Sequence, residues 1–156
     1  MVSKMDQRKK YRRLFKLPSS TFFLLGLRGV GKSTLVAELL PKAKTISLLK
    51  ESVYQLYLAK PDAFLEDLSG VQPGQWVIVD EIQRLPSLLN GVHELIEERQ
   101  IKFALLGSSA RKLRRGGVNL LGGRALPKHL HPVLPEELGD DFDLKRVLRW
   151  GSIPLV

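Results

Sequence analysis

The sequence predicts an α/β fold with a mainly parallel sheet of about five strands, flanked by helices. Short apolar runs alternate along the chain with amphipathic segments, which favours strands that are each followed by a helix. The apolar runs are nearly continuous, as is typical of parallel strands that are buried on both faces. The 156 residues, of which 44% are hydrophobic, suit one folded domain.

Five segments are predicted strands. The first ends in a glycine, the third ends in two carboxylates, and the fifth contains Pro127, which restricts it to an edge or an irregular strand. The predicted strands are residues 21–26, 45–49, 75–81, 102–109 and 124–133. Helical spacing predicts helices over residues 32–40, 51–68 with a break near Pro61, 85–98 and 110–115.

The segment GLRGVGKS, which begins at Gly26, is the most informative motif. It matches the spacing G-x-x-x-x-G-K-[ST] and lies between a predicted strand and a predicted helix, as a phosphate-binding loop requires. Its glycines let the backbone N–H groups surround phosphate oxygens, and the N-terminus of the following helix adds a partial positive charge. We therefore expect a nucleotide to contact Gly26, Leu27, Arg28, Gly29, Val30, Gly31, Lys32, Ser33 and Thr34.

Two residues of this loop and one acid have specific expected roles. Lys32 is expected to reach the β- and γ-phosphates, and Ser33 is expected to ligate Mg²⁺. A P-loop fold also needs an acid at the end of another buried strand, and Asp80 ends the run WVIVD. We expect Asp80 to hold Mg²⁺ through water.

Glu81, directly after Asp80, is a candidate general base that polarises the attacking water. An acidic cap between a strand and a helix explains either residue alone, but it explains the pair poorly. Gln83 has two interpretations: it responds to the nucleotide through Glu81, or it packs at the strand end, and packing is favoured.

The acid pair separates classes of P-loop protein. A signalling GTPase needs D-x-x-G at Asp80 and N-K-x-D further on. Asp80 is followed by EIQ instead and no N-K-x-D occurs, which favours adenine over guanine. A small-molecule kinase does not need a water-activating acid beside Asp80. The sequence therefore predicts hydrolysis of ATP. The alternative is a nucleotide-regulated module that binds nucleic acid or protein with little turnover, and a small-molecule kinase is less favoured.

The predicted strand 102–109 is expected to lie between the phosphate loop and the strand that ends at Asp80. Its end carries Ser108 and Ser109, and either hydroxyl is a candidate sensor that positions the lytic water beside the γ-phosphate. The alternative is that one serine caps the helix 110–115, since Ser is a preferred N-cap residue. Both interpretations stay open for each serine.

Four segments together carry a resemblance to a known family: FFLLGLRGVGKSTL, WVIVDEIQRLPSLLNGVHELIEE, FALLGSSARKLRRGGVNLLGGRA and LPEELG. Over roughly residues 10–156 the chain resembles prokaryotic AAA-type ATP-binding proteins whose ATPase domain precedes a C-terminal domain of unknown function. The resemblance implies ATP binding and Mg²⁺-dependent ATP hydrolysis. The family's motifs correspond to Gly26, Gly29, Gly31, Lys32, Ser33, Asp80, Glu81, Ser108 and Arg111.

The chain departs from this family at two places. Leu27 occupies a position where the family often has proline, and the chain stops at WGSIPLV where similar proteins continue. We expect a fragment or a natural truncation with little or no lid, so ATP binding is a firmer expectation than efficient turnover. The expected divisions are a basic segment at 1–18, an ATPase core at 19–138 and the start of a helical portion at 139–156.

Three arginines are candidates for contact with the γ-phosphate. Arg111 is expected to contact phosphate in its own subunit or to act as an arginine finger on a neighbour, and Arg28 and Arg124 compete for that role. For each of them a surface or structural role is an equal alternative. A finger implies self-association, and coupling of hydrolysis to conformational change implies an attached domain or a partner.

The net charge of +9 is concentrated in two clusters, one before residue 17 and one between 111 and 128. The first cluster lies on a predicted helix that faces inward through Tyr11, Leu14 and Phe15. A solvated surface is favoured for it over contact with nucleic acid or an acidic partner. The absence of cysteine and of any apolar run of about 18 residues agrees with a cytoplasmic protein without membrane contact.

Overall fold

The computed structural model describes residues 11–108, 113 and 120–154. These residues form a five-stranded sheet in the order β2-β3-β4-β1-β5. Every neighbouring pair of strands is parallel, so the predicted α/β fold class is confirmed. The strands are β1 (Phe22–Leu25), β2 (Lys44–Ser47), β3 (Trp76–Asp80), β4 (Lys102–Gly107) and β5 (Leu126–His129).

Helices connect these strands within the described ranges. The α-helices are α1 (Lys32–Leu39), α2 (Glu51–Ala59), α3 (Asp62–Asp67), α4 (Leu88–Arg99), α5 (Pro135–Leu138) and α6 (Leu144–Trp150). Short 3₁₀ helices follow β3, precede β5 and follow α5, at Ile82–Arg84, Leu120–Gly123 and Gly139–Asp141. The break predicted near Pro61 separates α2 from α3. The predicted helix 110–115 lies outside the described residues except for the buried Leu113.

The core has two parts, one on each face of the sheet. Residues with odd numbers in β1, such as Phe23, pack with α2, α3 and α4, whereas residues with even numbers, such as Phe22, pack with α1. Successive side chains of a strand point to opposite faces, so a strand covered on both faces must be apolar at every position. This geometry explains why the central strands appear in the sequence as continuous apolar runs.

The fifth strand is shorter than the predicted segment 124–133 and lies at the edge of the sheet, as Pro127 requires. It pairs with β1, and all four of its residues are exposed. Backbone hydrogen bonds hold it to the two ends of β1. The N–H of Leu126 donates to the carbonyl of Thr21 at 3.0 Å, and that of Leu130 donates to Leu25 at 2.8 Å.

The prediction of a helix in the basic N-terminal segment is wrong for residues 11–18, which we call the N-terminal strap. The strap has no regular helix, and exposed residues alternate along it with partly buried ones. Phe15 and Leu17 pack on the core beside α1, and the Phe15 ring lies 5.9 Å from that of Phe22. Leu14, predicted to face inward, is 60% exposed. The period of two indicates an extended segment, whose inward side chains are fixed by tertiary contacts.

The last described residues fold back towards β5. The N–H of Val133 donates to the carbonyl of Ser152 at 2.9 Å, which holds the segment after α6 near the start of α5. In the portion of the chain that the structure describes, no helix combines the length and apolar character needed to cross a membrane.

The strand order determines where the functional residues meet. Because β4 lies between β1 and β3, the carboxyl ends of these three strands lie side by side at one edge of the sheet. The chain leaves β1 at Gly26, whose N–H donates to the carbonyl of Gly107 at 3.2 Å. A Cβ atom at Gly26 would lie only 2.2 Å from the carbonyl oxygen of Leu130. Residue 26 therefore has to be glycine for the chain after β5 to pass this close.

We expect Gly26→Ala to lower the free energy of unfolding by about 1–3 kcal/mol, because backbone atoms have to move to accept the new methyl group. Gly70→Ala is the matched control, since its Cβ would meet no atom within 4 Å. It should change the free energy of unfolding by about 0.5 kcal/mol or less. Urea denaturation of the two variants measures the difference. Equal destabilisation would contradict the close approach at Gly26.

Candidate functional site

The loop between β1 and α1 has the backbone of a phosphate-binding loop. Gly29 and Gly31 have φ values of 87° and 91°, in the left-handed region that residues with a Cβ rarely adopt. Gly31 is the N-cap of α1, so the first N–H groups of the helix open towards the loop. The conformation predicted from the glycine spacing is therefore present at the N-terminus of an eight-residue helix.

Lys32, the first residue of α1, is only 6% exposed. Its Nζ donates to the carbonyl oxygens of Gly26 at 2.8 Å and Leu27 at 2.9 Å. Burial lowers the pKa of Lys32, and the carboxylates of Glu81 and Asp80 oppose that effect without cancelling it. The ammonium group thus lies folded against its own loop, in a site where two acids supply the compensating charge.

Ser33 and Asp80 connect the start of α1 to the end of β3. The Ser33 hydroxyl donates to the Oδ2 atom of Asp80 at 2.8 Å. Asp80 is 9% exposed, and this burial raises its pKa, while the hydrogen bond from Ser33 acts in the opposite direction. A hydroxyl oxygen beside a carboxylate oxygen is the kind of donor set that a hard cation such as Mg²⁺ accepts. The pair predicted to hold Mg²⁺ is therefore assembled with suitable ligand atoms.

Glu81, Gln83 and Ser108 form a hydrogen-bonded cluster next to this pair. The Nε2 atom of Gln83 donates to the Glu81 carboxylate and, at 2.9 Å, to the Ser108 hydroxyl. The Ser108 hydroxyl lies 3.5 Å from Glu81 Oε2. Glu81 has a left-handed backbone with φ of 58°, which is uncommon outside glycine and often marks functional sites. The cluster joins the end of β3 to the end of β4.

A cavity of about 510 Å³ opens beside these groups. Its volume lies in the range of small-ligand sites, which is roughly 300–1,000 Å³. Of the residues predicted to contact nucleotide, it is lined by Arg28, Gly29, Val30, Gly31, Lys32, Ser33 and Thr34, together with Asp80 and Glu81. Gly26 and Leu27 contribute through the carbonyl groups that bind Lys32.

The structure describes some of the arginines and serines predicted at the γ-phosphate, and it places them differently. Ser109 and Arg111 lie outside the described residues. Arg124 forms an ion pair with Glu97 of α4, which gives it a structural contact. Arg28 is exposed and lines the cavity, so it is the candidate arginine that the structure places at the site.

The family of the chain follows from a comparison with protein-family models. The model described as AAA domain matches residues 19–139, which is most of the chain. The chain belongs to the AAA-domain family. The resemblance seen in the motifs is thereby confirmed as that of a P-loop, AAA-type ATP-binding domain.

A solved structure and a search of the curated proteins complete the comparison of this AAA domain. The structure of the Aeropyrum pernix ORC2 protein in its ADP form is similar, with a TM-score of 0.54 and 17% sequence identity. The likeness covers 83% of this chain and 47% of that one, so this AAA domain spans about half the length of that protein. At this identity the match shows the fold. No curated protein matches the sequence.

The cavity of this AAA domain has a second wall that the motifs did not predict. Tyr11 and Arg13 of the N-terminal strap line it, as do Leu49, Val133 and Pro154. These residues come from the two ends of the described residues, from the loop after β2 and from the segment between β5 and α5, and none belongs to a nucleotide-binding motif. The sequence of residues 11–17 carries only a weak period of two, because the inward-facing Arg13 is charged and the exposed Leu14 is apolar.

Arg13 attaches the strap to the phosphate loop. Its Nη1 donates to the carbonyl of Val30 at 2.8 Å, Nη2 donates to the carbonyl of His131 at 2.5 Å, and Nε donates to Glu137 at 2.9 Å. The side chains of Arg13 and Glu137 are 9% and 3% exposed. The sequence grouped Arg13 with a solvated or nucleic-acid-binding cluster, but its charge is compensated inside the AAA domain.

Glu137 accepts the hydrogen bonds that connect the strap to the segment at the start of α5. It accepts hydrogen bonds from the N–H groups of Leu14, at 2.7 Å, and Leu134, at 2.9 Å, in addition to Arg13. Burial alone raises the pKa of Glu137, but the two backbone donors and the Arg13 guanidinium outweigh it, so the pKa is lowered overall. The ionised form is therefore the one that the fold stabilises.

We expect the Glu137 contribution to the free energy of unfolding to be complete above the ordinary glutamate pKa of about 4.3, and to be lost as the pH falls through the lower pKa of the folded state. Glu137→Gln should be less stable at neutral pH by about 2–4 kcal/mol and should lack this part of the acid dependence. Glu136→Gln, at an exposed neighbouring position, is the control. Urea denaturation at several pH values measures both effects. An acid dependence in Glu137→Gln equal to that of the wild type would contradict the assignment.

Proposed function

We propose that this AAA domain binds ATP together with Mg²⁺ and hydrolyses it to ADP and phosphate. The observation that carries the proposal is the meeting of four groups at one cavity: the Lys32 ammonium, the Ser33 hydroxyl and the carboxylates of Asp80 and Glu81. Family membership supports nucleotide binding, and these four groups support the chemistry.

Binding of the triphosphate draws on groups that the loop already presents. The N–H groups of residues 29–33 offer donors for phosphate oxygens, and the N-terminus of α1 favours negative charge. Lys32 exchanges its two loop carbonyls for the β- and γ-phosphates, which are stronger acceptors because they are charged. The same lysine thus stabilises the loop conformation through these carbonyls and binds the phosphates in their place.

Mg²⁺ supplies charge neutralisation between the phosphate oxygens when it is bound. Ser33 and Asp80 are the residues that would hold it, Ser33 directly and Asp80 through water. To hold the ion, the Ser33 hydroxyl would release Asp80 and offer an oxygen lone pair instead. Burial of Asp80 strengthens the interaction of its carboxylate with a nearby cation, since the local dielectric constant is lower than in water.

Glu81 performs proton transfer in the proposed reaction. It adjoins Asp80, lines the cavity and contacts Ser108 at the end of β4. A water placed between Glu81 and the γ-phosphate would lose a proton to the carboxylate as its oxygen attacks phosphorus and the bond to the β-phosphate breaks. Ser108 adds a donor for the γ-phosphate or for that water.

We also propose that hydrolysis changes the position of the segments that line the second wall. Tyr11 and Pro154 come from opposite ends of the described chain and face the same cavity as the phosphate loop. Val30 of that loop is bonded to Arg13 of the strap. A change in the nucleotide therefore has a direct route to both chain ends, where an attached domain or a partner would respond.

We expect Glu81→Gln to reduce phosphate release at least about 100-fold, because it removes the general base and keeps the side-chain shape. Its affinity for ATP should stay within about threefold of the wild type, since the phosphate loop is unchanged. Lys32→Ala should weaken the binding of ATP itself. A phosphate-release assay and a fluorescent-nucleotide titration separate the two effects.

Glu94→Gln is the matched control for this experiment, since Glu94 is an exposed acid of α4 away from the cavity. It should release phosphate at the wild-type rate. Phosphate release by Glu81→Gln at the wild-type rate would refute the general-base role, and ATP binding by Lys32→Ala at wild-type affinity would refute the binding site. Appearance of the γ-phosphate on an acceptor other than water would indicate a kinase instead.

A further inference from the structure

Gln83 bonds to Glu81, which lines the cavity, and to Ser108, which lies outside that lining and to which the proposed function gives a role at the γ-phosphate. Its Nε2 atom carries two hydrogens, and each has an acceptor: one is the Glu81 carboxylate and the other is the Ser108 hydroxyl at 2.9 Å. Glu81 follows β3 and Ser108 follows β4, so one amide group connects two neighbouring strand ends. The sequence favours packing for Gln83 over a response to the nucleotide through Glu81.

The orientation of this amide is determined by Glu81. Turning the amide over would point Oε1 at a carboxylate, which places two acceptors against each other. The observed orientation instead leaves Oε1 buried and, among the described residues, without a hydrogen-bond partner. A Cβ atom at Gly107 would lie 2.7 Å from this oxygen, so glycine at 107 provides the space for it. A residue that served packing alone would gain nothing from an unsatisfied buried oxygen.

Gln83 also determines how the Ser108 hydroxyl uses its single hydrogen. Because Nε2 donates to the Ser108 oxygen, the hydroxyl hydrogen has to point to another acceptor. Among the described residues the acceptor within reach is Glu81 Oε2, at a long 3.5 Å. A γ-phosphate oxygen carries more charge and is a better acceptor than this distant carboxylate oxygen.

We propose that Gln83 is a positioning residue that couples Ser108 to Glu81, so that a γ-phosphate bound by Ser108 releases Glu81 to act on water. When Ser108 turns its hydrogen to the phosphate, the Glu81 carboxylate loses one donor and gains a free lone pair. Gln83 still holds the carboxylate at the end of β3. The inference rests on the proposed function, and it explains how the site responds to ATP and not to ADP, which lacks the γ-phosphate.

The primary test is Gln83→Met, which keeps the length of the side chain and removes the amide. We expect kcat for phosphate release to fall about tenfold or more, while KM for ATP stays within about twofold, because the phosphate loop is intact. Gln55→Met is the matched control, since Gln55 also donates to a glutamate, Glu51, at 2.8 Å but on the exposed surface of α2. It should have wild-type kcat and KM.

A double-mutant cycle distinguishes coupling from a structural effect. If Gln83 acts through Ser108, Ser108→Ala and Gln83→Met together should lower kcat little more than the stronger single substitution does. Gly107→Ala provides an independent variant, since its methyl group displaces the mobile end of Gln83 while the backbone of β4 stays in place. We expect it to lower kcat as Gln83→Met does, with a melting temperature near that of the wild type.

These experiments test the positioning role of Gln83 separately from the proposed hydrolysis of ATP. A wild-type kcat in Gln83→Met, or a double variant whose loss is the product of the two single losses, would overturn the positioning role. If the wild-type protein releases no phosphate, the proposed function is wrong, and the ratio of affinities for a non-hydrolysable ATP analogue and for ADP becomes the readout. A ratio unchanged by Gln83→Met would then overturn the coupling, whereas a ratio brought towards one would support it.

Discussion

The hydrogen bond between Ser33 and Asp80 joins two strands that are not neighbours. Ser33 follows β1 and Asp80 ends β3, and β4 lies between those strands. Two strand spacings correspond to about 10 Å, so the loop after β1 has to cross the end of β4 for the two side chains to meet. The crossing requires glycine where the loop turns tightly and where it passes close to another backbone segment. Most of the site geometry follows from this single crossing.

Electrostatic compensation explains how the fold stabilises the buried charged groups of the site. Lys32 and Asp80 are buried, and each shifts its pKa in the direction that burial dictates, yet each lies near a group of opposite charge. The lysine satisfies its hydrogens on the carbonyls of its own loop. In the proposed function, the phosphate oxygens of ATP would take the place of those internal partners. Such preorganisation reduces the rearrangement that binding requires, because the charged groups are already desolvated and aimed.

Much of the fold and the centre of the site could be predicted from the sequence, for physical reasons. Central strands buried on both faces must be apolar, and the loop glycines and Lys32 carry a fixed spacing, so both leave a pattern in the sequence. The N-terminal strap leaves only a weak pattern in the sequence. Its apolar residues suit a helix as well as an extended chain, and the choice depends on Glu137, which lies 124 residues from Arg13.

The sequence offered a link between Gln83 and Glu81 as one interpretation, but it could not predict the contact between Gln83 and Ser108. An amide side chain after an acid pair suits packing and hydrogen bonding alike, and the choice depends on the neighbouring strand. Only the register of β3 against β4, with Val79 opposite Leu105, brings Ser108 near enough to be the second acceptor. The local sequence pattern is thus enough to predict groups that act within one loop. It is not enough to predict groups that act between strands.

Pro127 has a consequence for how copies of this protein meet one another. The N–H groups of Leu126 and Leu130 donate to the strand segment at 21–25, so the alternate positions of β5 point away from the sheet. Pro127 occupies one of those outward positions and has no N–H to offer. The exposed strand therefore presents an interrupted row of donors, flanked by the charge of Lys128. Growth of the sheet by addition of a strand from another molecule is disfavoured at this edge, which protects the fold against aggregation.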